Sequence, residues 1–178
     1  WRMGLVFVML APVVLFNGAW HSISWAQAGV LIASGLIGIF VGDTALFASM
    51  NRLGPRRTGV LFATHALFSA LLGFLVLDER MGTQAILGGA LVVGGVMTAI
   101  ALGSRKDESH ALEQIRGHVP SGVALGLVAA LCQATGSLIA KPVMASGVDP
   151  VAATVLRVGA TCAAHLALLW GGAQVART

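Results

Sequence analysis

Six stretches of the chain, residues 3–20, 26–50, 58–77, 83–102, 121–140 and 151–170, are apolar over close to the length of a bilayer crossing. A hydrocarbon core of about 30 Å takes about 20 helical residues at a rise of 1.5 Å each. Four of the six contain no charged residue; the second contains Asp43 and the last contains Arg157. None shows the alternation of a lipid-facing β-strand, so each predicts a helix. The expected fold class is therefore all-α, a polytopic integral membrane helical bundle. Reading all six as buried helices of a water-soluble domain would require one small core to hide every one of them.

The residues between the apolar runs agree. Ser24 followed by Gln27 predicts a capping box opening the second helix. Gly54-Pro55 predicts its end and a tight turn, because glycine tolerates positive φ and proline cannot continue a helix. Asp149-Pro150 reads as N-cap and first helical residue of the sixth. Trp20, Trp25 and Trp170 fall at span ends, where an amphipathic ring prefers the headgroup level. Small residues recur at spacings of four, as in Ser34, Gly38 and Gly42, Ala90 and Gly94, or Gly122, Gly126 and Ala130. Such ridges let helices approach closely, although glycine is also simply common in membrane helices.

Composition strengthens the membrane reading. The chain of 178 residues is 57% hydrophobic and 10% charged, with a mean hydropathy of +0.87; soluble domains are roughly a quarter charged. The net charge of +4 is not arranged as a basic stripe with interleaved aromatics, which argues against a nucleic-acid partner. Cys132 and Cys162 lie within apolar runs without a CxxC pair or histidines at ligand spacing. No disulfide framework, metal site or other cofactor is expected. The chain starts at Trp1 with no signal-peptide pattern, which suggests an internal piece of a longer protein.

Arg-x-Gly occurs inside an apolar run at Arg2 and again at Arg157, with five spans in one period. An odd number of crossings starts the second copy from the opposite face, the inverted-repeat arrangement of many transporters. Three further segments carry a family likeness: Gly42-Asp43-Thr44-Ala45-Leu46-Phe47, then Asn51-Arg52-Leu53-Gly54-Pro55, then Leu77-Asp78-Glu79-Arg80 before a glycine-rich helix. Together they resemble the first repeat of the drug/metabolite transporter superfamily, in its EamA-type ten-helix branch. The segment from Ser121, with Arg157, resembles the start of the second repeat. The resemblance implies six transmembrane helices of ten, an inverted-repeat transporter fragment. Residues 1–102 would be most of the first repeat (helices two to five), 103–118 a charged inter-repeat loop, and 119–178 the start of the second (helices six and seven). Gly42, Asp43, Gly54, Pro55, Asp78 and Glu79 are the family-motif positions. Where the family commonly has proline in the third span, this chain has Ala66 preceded by His65, which removes the usual cause of a kink.

The resemblance implies a permease or exporter of small metabolites in the cell (inner) membrane of a bacterium. It leaves the cargo open, because similar folds move different solutes. The partners it points to are membrane lipid, a small-molecule substrate, a proton, the missing helices of the parent chain and a second copy of the chain. Arginines and lysines counted on alternating sides number eight on one face and two on the other. The positive-inside rule puts the eight-charge face in the cytoplasm; the usual family layout puts the turn from Arg52 to Arg57 outside. The 103–118 segment reads as a solvated linker with a helical turn near Ala111 to Ile115.

Ionised groups at a helix centre cost about 2.5–3.5 kcal/mol on insertion scales, whereas each leucine or isoleucine returns about 0.3–0.6. Asp43 lies seven residues before the end of its span and His65 seven into the next, each about 10 Å deep. Arg2 and His165 reach a similar level from the same face, so four polar groups converge on one depth. They are candidates for substrate binding or proton passage, since small shifts carry a histidine across neutral pH. The structural alternative pairs Asp43 with Arg2, or caps it with Thr44 and Ser49, and leaves His65 satisfied in the interior. Arg157 enters from the opposite face, with its partner expected in the missing half. As repeat mate of Arg2 it would hold an anionic substrate group, or else snorkel to the surface. Gln133, Thr135 and Ser137 give the fifth span its polar stretch, suited to cavity lining or interhelical hydrogen bonds. Asp78-Glu79-Arg80 suits interface and helix-terminus electrostatics. Two other function classes fit these residues: a membrane-embedded enzyme acting on lipid through Asp43 and His65, and a non-transporting assembly subunit. The first lacks any nucleophile, metal or phosphate-loop motif.

Overall fold

The computed structural model describes residues 2–78, 82–102 and 118–175. Over these residues the chain is helical, with no strand. In chain order the helices are α1 (Arg2–Asn17), α2 (Trp25–Gly35), α3 (Gly42–Leu53), α4 (Pro55–Phe62), α5 (His65–Leu77), α6 (Thr83–Leu102), α7 (Val119–Ala145) and α8 (Pro150–Val175). A 3-10 turn, Ala19–Ser22, follows α1, and a π-helical segment, Leu36–Val41, joins α2 to α3. Among the described residues, four stretches are long and apolar enough to cross a bilayer: Trp25–Leu53, Pro55–Leu77, Val119–Ala145 and Pro150–Trp170. Arg2–Asn17 and Thr83–Thr98 are shorter apolar helices. The protein is a multi-pass integral membrane protein of all-α class.

The local signals act as their chemistry requires. Ser24 accepts from the Gln27 amide while the Gln27 side chain accepts from the Ser24 amide, closing the capping box of α2. Asp149 Oδ1 accepts from the amides of Val151 and Ala152, each at 2.9 Å, satisfying two otherwise orphaned donors at the start of α8. Gly54 has φ 83° and ψ 161°, a conformation open essentially to glycine. Its amide donates to Met50 O and its carbonyl accepts from Thr58, so one residue ends α3 and starts α4.

Several boundaries differ from the apolar runs. The first helix stops at Asn17 because Gly18 takes φ 65°, which places Trp20 on the 3-10 turn. The third span begins at Pro55 rather than residue 58, since proline with its fixed φ is suited to the first helical position. That same span is interrupted at Ala63 and Thr64 without any proline. Thr64 Oγ1 donates to Leu61 O at 2.6 Å and His65 Nδ1 donates to Phe62 O at 2.9 Å. Side chains that take helix carbonyls in this way compete with the i→i−4 ladder and bend it. The fifth helix runs on to Ala145, past Pro142.

Contacts divide the chain into two compact units, residues 1–40 with 136–178, and residues 41–135. In the first, α8 packs on α1 and α2. Its core is Leu31, Ala140, Val143, Val148 and Ala153, with Ile23 and Leu156 against it. An added Cβ on Gly35 would lie 2.6 Å from Arg157 O, and one on Gly136 2.5 Å from Gly38 Cα, so backbones touch at both points. Ser34 Oγ donates to Gly136 O at 2.6 Å across the second contact. In the other unit α3 packs on α4, and α6 on α4 and α5. Ser49, fully buried, donates to Gly122 O at 2.9 Å and lies 3.2 Å from Thr58 Oγ1, tying α3 to α4 and α7.

Candidate functional site

Asp43, His65 and Gln133 belong to the unit 41–135; Arg2, Arg157 and His165 belong to the other. Asp43 is buried in the first turn of α3. Gly42, just before it, lies against α7: an added Cβ would sit 3.5 Å from Cys132 Cβ and 3.8 Å from Gln133 N. The α3–α7 contact thus carries Gln133, half-buried, at the level of Asp43. Ser49 is committed to Thr58 and Gly122, so it does not serve as the cap for Asp43 that spacing allowed.

With α3 ending at Leu53 and α4 starting at Pro55, Asp43 and His65 each stand ten residues from the turn. At 1.5 Å per residue this is about 15 Å along the chain from the turn, farther than the span limits suggested. His65 is half-buried at the start of α5 and its ring stacks on Phe62 with centroids 5.2 Å apart. Because a carbonyl can only accept, Nδ1 carries the proton in the bond to Phe62 O. The basic nitrogen of neutral His65 is therefore Nε2.

In the other unit one stripe of α8 carries Arg157, Thr161 and His165 at successive turns. Thr161 is fully buried, and its hydroxyl donates to Arg157 O at 2.9 Å and Gly35 O at 3.1 Å. His165 Nδ1 donates to Thr161 O at 2.9 Å, and its ring meets Phe40 edge-on at 4.7 Å. Its Nε2 is likewise the basic nitrogen. Arg157 is half-buried, and its Nε is shut away with no hydrogen-bond partner among the described residues. Arg2 is exposed at the start of α1. Of the motif positions, Gly42 and Gly54 are buried, Pro55 opens α4, and Asp78 ends α5 with φ 51°. Glu79 and Arg80 lie outside the described residues, as do 103–117, where a linker with a helical turn is expected. No group of three His, Cys, Asp or Glu side chains placed to hold a metal occurs among the described residues.

Sequence reasoning did not single out Thr161 or Thr64, or the π-helical segment. Only the partners reveal the threonines' roles, because a threonine in an apolar run is otherwise unremarked.

The family model for the EamA-like transporter family matches residues 1–101 of this chain. The chain belongs to the EamA-like transporter family. Over 105 residues it is 27% identical to the uncharacterized transporter YyaM of Bacillus subtilis (strain 168), an alignment covering 58% of this chain and 34% of that relative. The chain thus spans about a third of the relative's length. No solved structure matches. Membership of an EamA-like family, with a relative described as a transporter, points to membrane transport rather than to an enzymatic reaction.

Proposed function

We propose that the full-length EamA-like protein is a secondary transporter of small metabolites. It works by alternating access between two inverted five-helix repeats, in the inner membrane of a bacterium. Residues 1–102 supply most of the first repeat, 103–118 the connecting loop and 119–178 the start of the second. The recurrence of Arg-x-Gly at Arg2 and Arg157, five spans apart, supports the inversion. The observation that carries the transport reading is Asp43. It is a carboxylate buried on a membrane-spanning helix about 15 Å from its end, and ionisable groups within spans mark solute or proton paths by default.

Asp43, His65 and Gln133 form the substrate- or proton-handling group of one unit, and Arg2, Arg157 and His165 that of the other. With Nδ1 of each bonded to a carbonyl, the Nε2 nitrogens of His65 and His165 are the acceptor positions that a proton path would use. The helix irregularities at Leu36–Val41 and Ala63–Thr64 fit the same reading. Broken and π-helical turns in spans commonly mark functional positions and hinges. Membrane lipid, a small-molecule solute, the remaining helices and a second copy are the partners of this assembly.

Asp43→Asn in the full-length protein, reconstituted in proteoliposomes, tests the reading. It removes the charge and keeps the shape. Loss of solute flux or of its proton dependence is expected. Wild-type flux with unchanged coupling would take Asp43 out of the mechanism.

A further inference from the structure

Arg157 stands about 10 Å into α8, seven residues after Pro150. A guanidinium does not lose its proton in a protein, so burial cannot be relieved by neutralising it. An anionic partner must come from somewhere. The unit that holds Arg157 contains two arginines, Arg2 and Arg157, and one lysine, Lys141, among its described residues, against a single carboxylate, Asp149. Asp149 is already engaged by two backbone amides, eight residues and about 12 Å back along the helix.

The arginine is also held in place. Its main chain is pressed against Gly35, where an added Cβ would fall 2.6 Å from Arg157 O and 2.9 Å from Arg157 Cα. The Thr161 hydroxyl clamps the same contact by donating to both Arg157 O and Gly35 O. Gly35 is the last residue before the π-helical segment. A cation fixed on a rigid helix contact, with an unsatisfied donor and no uncommitted carboxylate among the described residues of its own unit, has the attributes of a preorganised oxyanion site.

Resting on the transport reading, we infer that Arg157 binds an oxyanion group of the cargo, so that the transported solute is a small organic anion bearing a carboxylate or phosphate. Its planar fork suits either group, and lysine is a poor substitute because it lacks the paired donors.

The test uses the full-length protein in phosphatidylcholine nanodiscs, with thermal unfolding followed in the presence of succinate, inorganic phosphate or the neutral succinamide. Succinate or phosphate should raise the unfolding temperature and succinamide should not. The increment should vanish in Arg157→Gln and demand roughly tenfold more anion in Arg157→Lys, in line with the loss of one bidentate contact. Should the glutamine variant fail to fold, Arg157→Lys decides the case, and protection equal to that of the wild type would count against the inference. Protection by neither anion, or equal protection of wild type and Arg157→Gln, overturns the inference. So does an Arg157-dependent shift given only by phosphatidylglycerol in the disc, which would assign the guanidinium to a lipid headgroup. Proteoliposome flux separates the two levels of failure. Neutral-solute transport that survives Arg157→Gln sinks the anion assignment alone, whereas absence of flux for every solute sinks the transport reading with it.

Discussion

Gly136→Ala is the sharpest test of how the unit 1–40 with 136–178 is held together. The new Cβ would fall 2.5 Å from Gly38 Cα, 2.8 Å from Ser34 O and 2.9 Å from Gly38 N, all main-chain atoms that no rotamer change can move. Carbon atoms rest at about 3.5–4.0 Å, so the helices must separate by about 1 Å at this point. Overpacking of this kind costs about 1–3 kcal/mol. Separation also stretches the 2.6 Å bond from Ser34 Oγ to Gly136 O, and interhelical hydrogen bonds in membranes average about 0.6 kcal/mol with a maximum of about 1.7. Alanine's better helix propensity returns about 1 kcal/mol. The net destabilisation is about 1–3 kcal/mol, a roughly 5- to 150-fold fall in the folding equilibrium. Unfolding of the full-length protein by SDS in mixed micelles measures it. Gly94→Ala is the reference, because a Cβ there meets nothing within 4 Å. Gly136→Ala unfolding at the same SDS fraction as Gly94→Ala would refute the close-contact argument.

Two further substitutions probe the caps and polar ties. Asp149→Ala removes the acceptor for the Val151 and Ala152 amides and should cost about 1 kcal/mol. Asp149→Asn should keep most of that stability, and amide exchange at Val151 and Ala152 should rise in the alanine variant alone. Ser49→Ala unties α3 from α4 and α7 by removing the hydroxyl shared between Thr58 Oγ1 and Gly122 O. It should lower stability by about 1–2 kcal/mol in the same SDS titration, and an unchanged midpoint would show that the neighbouring helices do not depend on it.

Helix starts were legible where the signal is local. Ser24 with Gln27, Gly54 with Pro55, and Asp149 with Pro150 each act within four residues of themselves, so the sequence carries their whole explanation. The irregular turns were not. Leu36–Val41 reads as uninterrupted apolar helix, and nothing in those six residues announces a π turn; Gly35 just before it and Gly38 within it make their backbone contacts with Arg157 and Gly136, more than 90 positions away. The break at Ala63 and Thr64 lacks the expected proline, and is marked instead by threonine and histidine side chains bonded to their own helix. The same division holds for the candidate site. Asp43 and Arg157 announce themselves by charge in an apolar run. Thr161, which holds the Arg157 main chain, is silent until its two acceptors are known.

The junction at Gly54 has a consequence for biogenesis. Only Gly54 separates α3 from α4, so no loop intervenes at which the insertion machinery could pause between them. The two segments must leave the translocon as one hairpin, and Asp43 reaches the lipid with a neighbouring helix already alongside. Lengthening that junction would let the acidic segment emerge alone, where its carboxylate meets hydrocarbon before it meets protein.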